Sequence, residues 1–204
     1  MNNFKKFANT AAYEAATLTR PAVSLIETSG KIKFDPDTYH GIVRVYYNIT
    51  DASQEVVLYA GSSSGSESGS ESGSGQAGAT PSAMWVDGVL LQAVVNTYRF
   101  STNGIHYVDY DFDGAVFLSG GLFYHNQLVT KVVLNENVED IGSQAFQETS
   151  NLSVFISKAI TPPSLNNSIE FNMTSPDLVI YVPAASVNAY KTAWFHYTDK
   201  IQAM

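Results

Sequence analysis

The chain has 204 residues, enough for one large domain or two small ones, and its 45% apolar content can furnish at least one sizeable core. Only 15% of residues are charged, whereas 12 Tyr and 11 Phe bring the aromatic share to 12%, a balance that favours strands over long solvated helices. The net charge of −8 argues against nucleic acid as a partner, the absence of cysteine excludes disulfides, thiolate chemistry and Cys-based zinc sites, and no run approaches the roughly 18 apolar residues of a membrane span.

The opening residues, Met1-Asn2-Asn3-Phe4-Lys5-Lys6-Phe7, have no apolar stretch behind their lysines, so no secretory signal is expected. An Ala-rich helix is predicted from about Asn9 to Leu18 and ends before Arg20-Pro21, because the residue preceding proline avoids helical backbone. Val23 to Glu27 and Lys31 to Phe34 read as strands around a Thr28-Ser29-Gly30 turn. From Ile42 to Ile49 the chain alternates, with Val43, Val45, Tyr47 and Ile49 on one face and Arg44, Tyr46 and Asn48 on the other. Glu55 to Tyr59 gives a further strand. Taken alone, residues 1–60 are a marginal core, so this N-terminal α/β module is expected to be completed by a partner or by copies of itself.

Gly61 to Gly75 contains only Gly, Ser, Glu67 and Glu71. With nothing apolar to bury, it is expected to act as a flexible tether over residues 61–80, with an r.m.s. span of roughly 21 Å for its fifteen core residues. Residues 81–119 then read as a β-meander. Asp87-Gly88 separates Met84–Val86 from Val89–Val95, and Asn103-Gly104 separates Thr97–Ser101 from Ile105–Asp109, both dipeptides suiting type I′ turns.

From Gly120 the period changes. Phe123 and Phe146 are 23 residues apart and Leu134 and Ile156 are 22 apart, with Leu128, Val132, Val138, Ile141-Gly142, Ala145, Leu152 and Val154 between. That recurrence predicts two or three solenoid coils over 120–182, each burying its apolar edge on the next. Pro183 then opens a capping helix over 183–204, with Val187, Tyr190 and Trp194 as its apolar stripe. The expected fold class is mainly β with minor α (α+β).

Several strings look chemical. Gly61-Ser62-Ser63-Ser64-Gly65 fits the nucleophile-elbow pattern and Gly73-Ser74-Gly75-Gln76-Ala77-Gly78 the dinucleotide-loop pattern, but both sit in or beside the tether, without the strand and helix that give those patterns meaning. Asp109, Asp111, Asp113 and Gly114 copy the first half of a calcium loop, yet position twelve is Gly120 rather than a bidentate Glu. The preferred reading places the three Asp on the solvent face of a strand, opposite Val108, Tyr110 and Phe112, where they resist edge pairing. His40, His106, His125 and His196 share no metal spacing. No catalytic, cofactor or metal residue is therefore nominated, and no enzyme activity is expected.

Two resemblances emerge from these residues. Val138-Glu139-Asp140-Ile141-Gly142-Ser143-Gln144-Ala145-Phe146 with Asn151-Leu152 resembles the repeat of BspA-like leucine-rich proteins, and Ile180-Tyr181-Val182-Pro183 with Ser186 to Trp194 resembles the C-terminal cap of such repeats. Phe4-Lys5-Lys6-Phe7, Ala12-Tyr13, Pro21 to Ile26 and Ile32-Lys33-Phe34 are similar to the openings of structural proteins of Bacteroidales (crAss-like) tailed phages. Together they imply a virion protein, a head fibre or capsid decoration, on the capsid exterior. Residues 1–60 would grip a capsid or other virion protein, and residues 81–204 would display a surface to a host glycan or protein. A homo-oligomer, with a trimer favoured, is implied, and neither nucleic acid nor membrane is a partner. The alternative is a BspA-like adhesin on a bacterial surface.

Overall fold

The structure, a computed structural model, describes residues 25–28, 31–34, 43–60, 80–112, 117–167 and 169–204. The predicted helix at 9–18, His40, the tether residues 61–75, and Asp113 and Gly114 lie outside them. Strands β1 (Leu25–Thr28) and β2 (Lys31–Phe34) form an antiparallel pair. Strand β3 (Val43–Ile49) follows, with Val43, Val45, Tyr47 and Ile49 all buried, so the period-2 pattern sets which face meets the core. Two-residue β4 (Val56–Val57) comes next. Beyond the tether, β5 (Ala83–Val86) and β6 (Val89–Leu90) flank Asp87-Gly88. Both turn residues have positive φ, 48° and 76°, as a type I′ turn requires.

Strands β7 (Thr97–Tyr98), β8 (Gly104–Asp111) and β9 (Phe117–Leu118) lead into β10 (Val129–Leu134), β11 (Asp140–Ile141), β12 (Val154–Ser157), β13 (Ser164–Leu165) and β14 (Val179–Val182). A 3-10 turn at Ala184–Ser186, helix α1 (Val187–Ala193), a second 3-10 segment at Phe195–Lys200 and β15 (Ile201–Ala203) complete the chain.

Eight strands form one mixed sheet in the order β15-β14-β12-β10-β3-β8-β5-β6. Neighbours from β15 to β10 are parallel, and those from β10 through β3 and β8 to β6 are antiparallel. Parallel neighbours need a crossover. The β10–β12 and β12–β14 crossovers carry β11 and β13, which with β9, from the β8–β10 connection, form a second, parallel sheet in the order β13-β11-β9, whereas the β14–β15 crossover carries the helix. Between the sheets runs a column of rings. Phe146 stacks on Phe123 at 5.5 Å and on Phe171 at 5.6 Å, with interplanar angles of 11° and 7°. Tyr110 and Tyr197 meet the two ends edge-on. Tyr190 and Trp194 of the C-terminal stripe are buried beside it, tied by Tyr190 Oη–H to the Ala159 carbonyl and by the Trp194 indole N–H to the Pro163 carbonyl, each at 2.8 Å.

This architecture corrects the expected α+β arrangement of a separate anchor, a meander and a short solenoid. The fold is mostly β, organised on the large mixed sheet. Strand β3, assigned to the N-terminal module, lies at its middle, hydrogen-bonded to β8 on one side and β10 on the other. Leu58 and Tyr59 belong to the same core as Phe123 and Phe146. The Tyr47 hydroxyl donates to the Leu58 carbonyl at 2.6 Å and sits 2.6 Å from the Tyr110 hydroxyl; burial pushes both phenols far up, keeping them protonated. On either side of the Gly/Ser/Glu segment the chain is tied to this core, by the Ala60 N–H, which donates to Leu122, and by the Ser82 N–H, which donates to Asp111. The Gly/Ser/Glu segment thus connects two parts of one domain, and the case for oligomerisation from an undersized core lapses.

The meander fails at Asn103-Gly104. β7 pairs with β4, and β8 takes β3 and β5 as neighbours, so no hairpin forms at that dipeptide. The 22-residue spacing of Leu134 and Ile156 is a one-residue slip. Val133 pairs with Ile156 and Leu134 with Ser157, which turns Ile156 to the outer face of the sheet.

The Ile-Gly step of the repeat has a steric basis. Gly142 N–H donates to Leu118 at 2.8 Å, and a Cβ on Gly142 would press on the Gly120 amide nitrogen and lie 2.7 Å from the Ser119 carbonyl carbon. All three of the nearest atoms are backbone of Ser119 and Gly120, so nothing can rotate away. Gly142→Ala is expected to destabilise the domain by about 3 kcal/mol, the upper range for overpacking, read as a fall in urea midpoint at constant slope.

Candidate binding face

Strand alternation gives the large sheet a core face and an outer face. The registers align the outer residues into two rows. One runs Tyr107, Tyr46, Lys131, Val154, Val179; the other runs Trp85, Asp109, Arg44, Val133, Ile156, Tyr181, Gln202. In place of the charged, solvated face common on antiparallel sheets, this one is aromatic and aliphatic. Tyr46, Tyr107, Lys131, Val154, Ile156, Val179 and Tyr181 are all half-buried.

A buried ion pair in the second row adjoins the first. Arg44 Nε lies 2.6 Å from Asp109 Oδ1 and Arg44 Nη2 lies 2.8 Å from Oδ2, a bidentate fork. Burial works against the guanidinium's charge, but the hydrogen bonds and charge of Asp109 outweigh it, and the net displacement is upward. Burial also lifts the Asp109 carboxyl above the usual carboxylate range, against the pull of Arg44. Contacts at these distances are those of an ionised pair. The guanidinium lies 4.3 Å from the Tyr107 ring centroid, and Lys131 Nζ lies 4.9 Å from that of Tyr46. The two tyrosine rings are 5.9 Å apart. Burial raises the Tyr107 phenol, with Arg44 opposing, so it presents a protonated hydroxyl. Two cations thus hold two tyrosine rings in fixed positions at one end of an apolar shelf. Such a surface suits a flat or planar partner group.

The aspartates singled out by spacing behave differently from expectation. Asp109 is wholly buried in the ion pair and Asp111 is buried beside β5, so neither stands on a solvent face, and the exposed-edge reading is corrected. The cause is β3: once it pairs with β8, Arg44 stands opposite Asp109 and closes on its carboxylate. Among the described residues no group of three or more His, Asp or Glu is placed to hold a metal ion. No described helix is long and apolar enough to cross a membrane.

The described histidines separate. His106 Nδ1 lies 2.7 Å from Asp87 Oδ2, and its Nε2 lies 3.3 Å from the Thr102 hydroxyl and 2.9 Å from the Thr102 carbonyl oxygen. A hydroxyl, imidazole and carboxylate in that order resemble a nucleophile relay. Here the carbonyl oxygen takes the closer place at the nitrogen that a general base would keep for the hydroxyl, and the Phe100 ring lies 4.6 Å from the imidazole. Asp87 Oδ1 also accepts the Tyr107 N–H at 3.0 Å. The set staples the β5–β6 turn to the start of β8. His125 Nδ1 meets Glu148 Oε2 at 2.8 Å on the surface, with the Tyr124 hydroxyl on the other oxygen at 3.0 Å, and both hydrogen bonds hold the Glu148 carboxyl below its ordinary range. His196 lies against Phe195.

Sequence reasoning missed the outer face because its members come from seven strands that only the pairing brings together. The one available signal was Arg44 and Tyr46 on the polar side of an otherwise apolar strand. No protein-family model matches the chain, and no curated protein does.

Proposed function

We propose that this chain is a non-enzymatic structural protein of a phage virion, a capsid-attached head fibre or decoration protein, and that the outer face of its large sheet is the surface it displays. The binding role is carried by one observation: a rigid sheet holds Tyr46 and Tyr107 against Lys131 and Arg44, beside the apolar side chains of Val154, Ile156, Val179 and Tyr181. The virion setting is supported by the resemblance of the opening residues to phage structural proteins. Residues 43–60 are committed to the core, so the grip on the shell is assigned to residues before 43. Many copies on one particle turn a weak contact into a firm one. Host-surface glycans or proteins are the partners proposed, and a homo-oligomer follows from the same resemblance.

Mass spectrometry of purified particles is expected to find peptides of this chain, and their absence overturns the virion assignment. The second reading, a bacterial-surface adhesin, is favoured by the resemblance of residues 120–204 to BspA-like repeats; cell-surface fractions of the host containing the chain, with particles lacking it, would establish that instead. On arrayed host-surface glycans, Tyr46→Ala/Tyr107→Ala is expected to bind at least about fivefold more weakly than the parent chain, because both aromatic ring surfaces are removed. Equal binding by a folded double variant removes the outer face from the proposal.

A further inference from the structure

The two parallel ladders end differently. Strands β10, β12 and β14 are continued by a fourth strand, β15, whereas β9, β11 and β13 have no fourth member, and β13 is an edge among the described residues. The N–H groups of Ser164 and Asn166 donate to the Glu139 and Ile141 carbonyls of the β11 side at 2.8 and 3.4 Å. By alternation the N–H and carbonyl of Leu165 point the other way, and no described residue accepts that N–H. Beside this edge is a cavity of about 120 Å³, lined by Leu165, Asn167 and residues 193–197. Its Trp194 wall is fixed by the indole bond to Pro163, and Phe195 at the same cavity is 65% exposed.

We propose that this end of the molecule takes up an extended segment of a partner polypeptide, which adds a fourth parallel strand beside β13 and seats one large apolar side chain in the cavity. Three features select that occupant. The outward donor and acceptor of Leu165, without a partner among the described residues, are main-chain groups in strand geometry, which is what strand addition to a sheet edge uses. The cavity is well below the roughly 300–1,000 Å³ of small-molecule sites but offers room for a single side chain. The place continues an existing ladder, so the incoming strand inherits its direction and spacing from β9, β11 and β13. Phe195 supplies an apolar rim to cover that side chain once seated. This surface is separate from the sheet's outer face, and the inference does not depend on the virion assignment.

The test is a titration of the full ¹⁵N-labelled chain with a synthetic peptide of the Val138–Phe146 sequence, a segment that already has a parallel strand on either side within this fold. Saturable shifts of the Leu165 amide and the Trp194 indole are expected, without shifts at Tyr46 or Tyr107. Leu165→Pro removes the outward N–H while leaving the two bonds to β11, and is expected to weaken binding about tenfold. Ala193→Phe, at an exposed helix position, fills the cavity and is expected to abolish binding with melting unchanged. No saturable shift at millimolar peptide, or full affinity in Ala193→Phe, overturns the proposal. So does a dilution series without peptide in which the Leu165 shift depends on protein concentration, because the place is then taken by a second copy.

Discussion

Phe146→Ala is expected to lower stability by about 3–5 kcal/mol, enough to shift melting of a domain this size by about 10 °C. Phe146 is wholly buried and stands at the centre of the ring column, stacked on Phe123 and Phe171 and edge-on to Phe155 at 5.4 Å. Removing its ring leaves a void bounded on both faces by rings held in turn by Tyr110 and Tyr197. The surrounding backbone has little freedom to collapse. Phe146 N–H donates to Glu170 and Ala145 accepts from Phe123, so the turn is tied to both of its neighbours. Phe146→Leu keeps most of the volume and is expected to cost under about half as much. Urea unfolding of the three proteins checks the order. A Phe146→Ala loss near 1 kcal/mol would mean that the column closes up and that the turns, rather than the rings, set the spacing of the ladders.

The same column marks what could be read from the sequence. The 23-residue interval between Phe123 and Phe146 separates two of the three stacked rings, the third, Phe171, standing 25 residues further on, and the alternation of Val43, Val45, Tyr47 and Ile49 identified a core face correctly. Both are local patterns, written in the spacing of side chains. The neighbours of β3 were not legible. Its partners begin 55 residues or more along the chain, beyond a Gly/Ser segment that looks like a domain boundary, and period-2 alternation fixes a strand's face without naming the strand beside it. That single misplacement produced the others. With β3 removed to a separate module, β8 had no neighbour to bury Asp109, Asn103-Gly104 had to be a hairpin, and Arg44 had no carboxylate. The outer face was illegible for the same reason, since Tyr46 and Tyr107 become neighbours only through a register.

The ion pair beneath that face carries the other large effect. Arg44→Met is expected to destabilise the domain by about 3–5 kcal/mol near neutral pH, because it leaves the Asp109 carboxylate buried without its partner. The cost should depend on pH in a definite direction. Burial already lifts the Asp109 carboxyl, and loss of Arg44 removes the group that pulls it back, so in the variant the folded state holds this proton more tightly than the unfolded chain. Stability relative to the parent is then best recovered in acid, below about pH 4 where the carboxyl is neutral in both states, and is lost as pH rises from there. Arg44→Met/Asp109→Leu removes both charges and is expected to recover most of the loss at pH 7, since a buried pair offsets little more than its own desolvation. The double variant also separates stability from recognition. It refills the space of the ion pair while taking the cation from the Tyr107 ring, so glycan or protein binding should fall even where unfolding returns to the parent midpoint. Full binding by a stable double variant would mean that the tyrosines act without Arg44, leaving Lys131 as the cation that orients them.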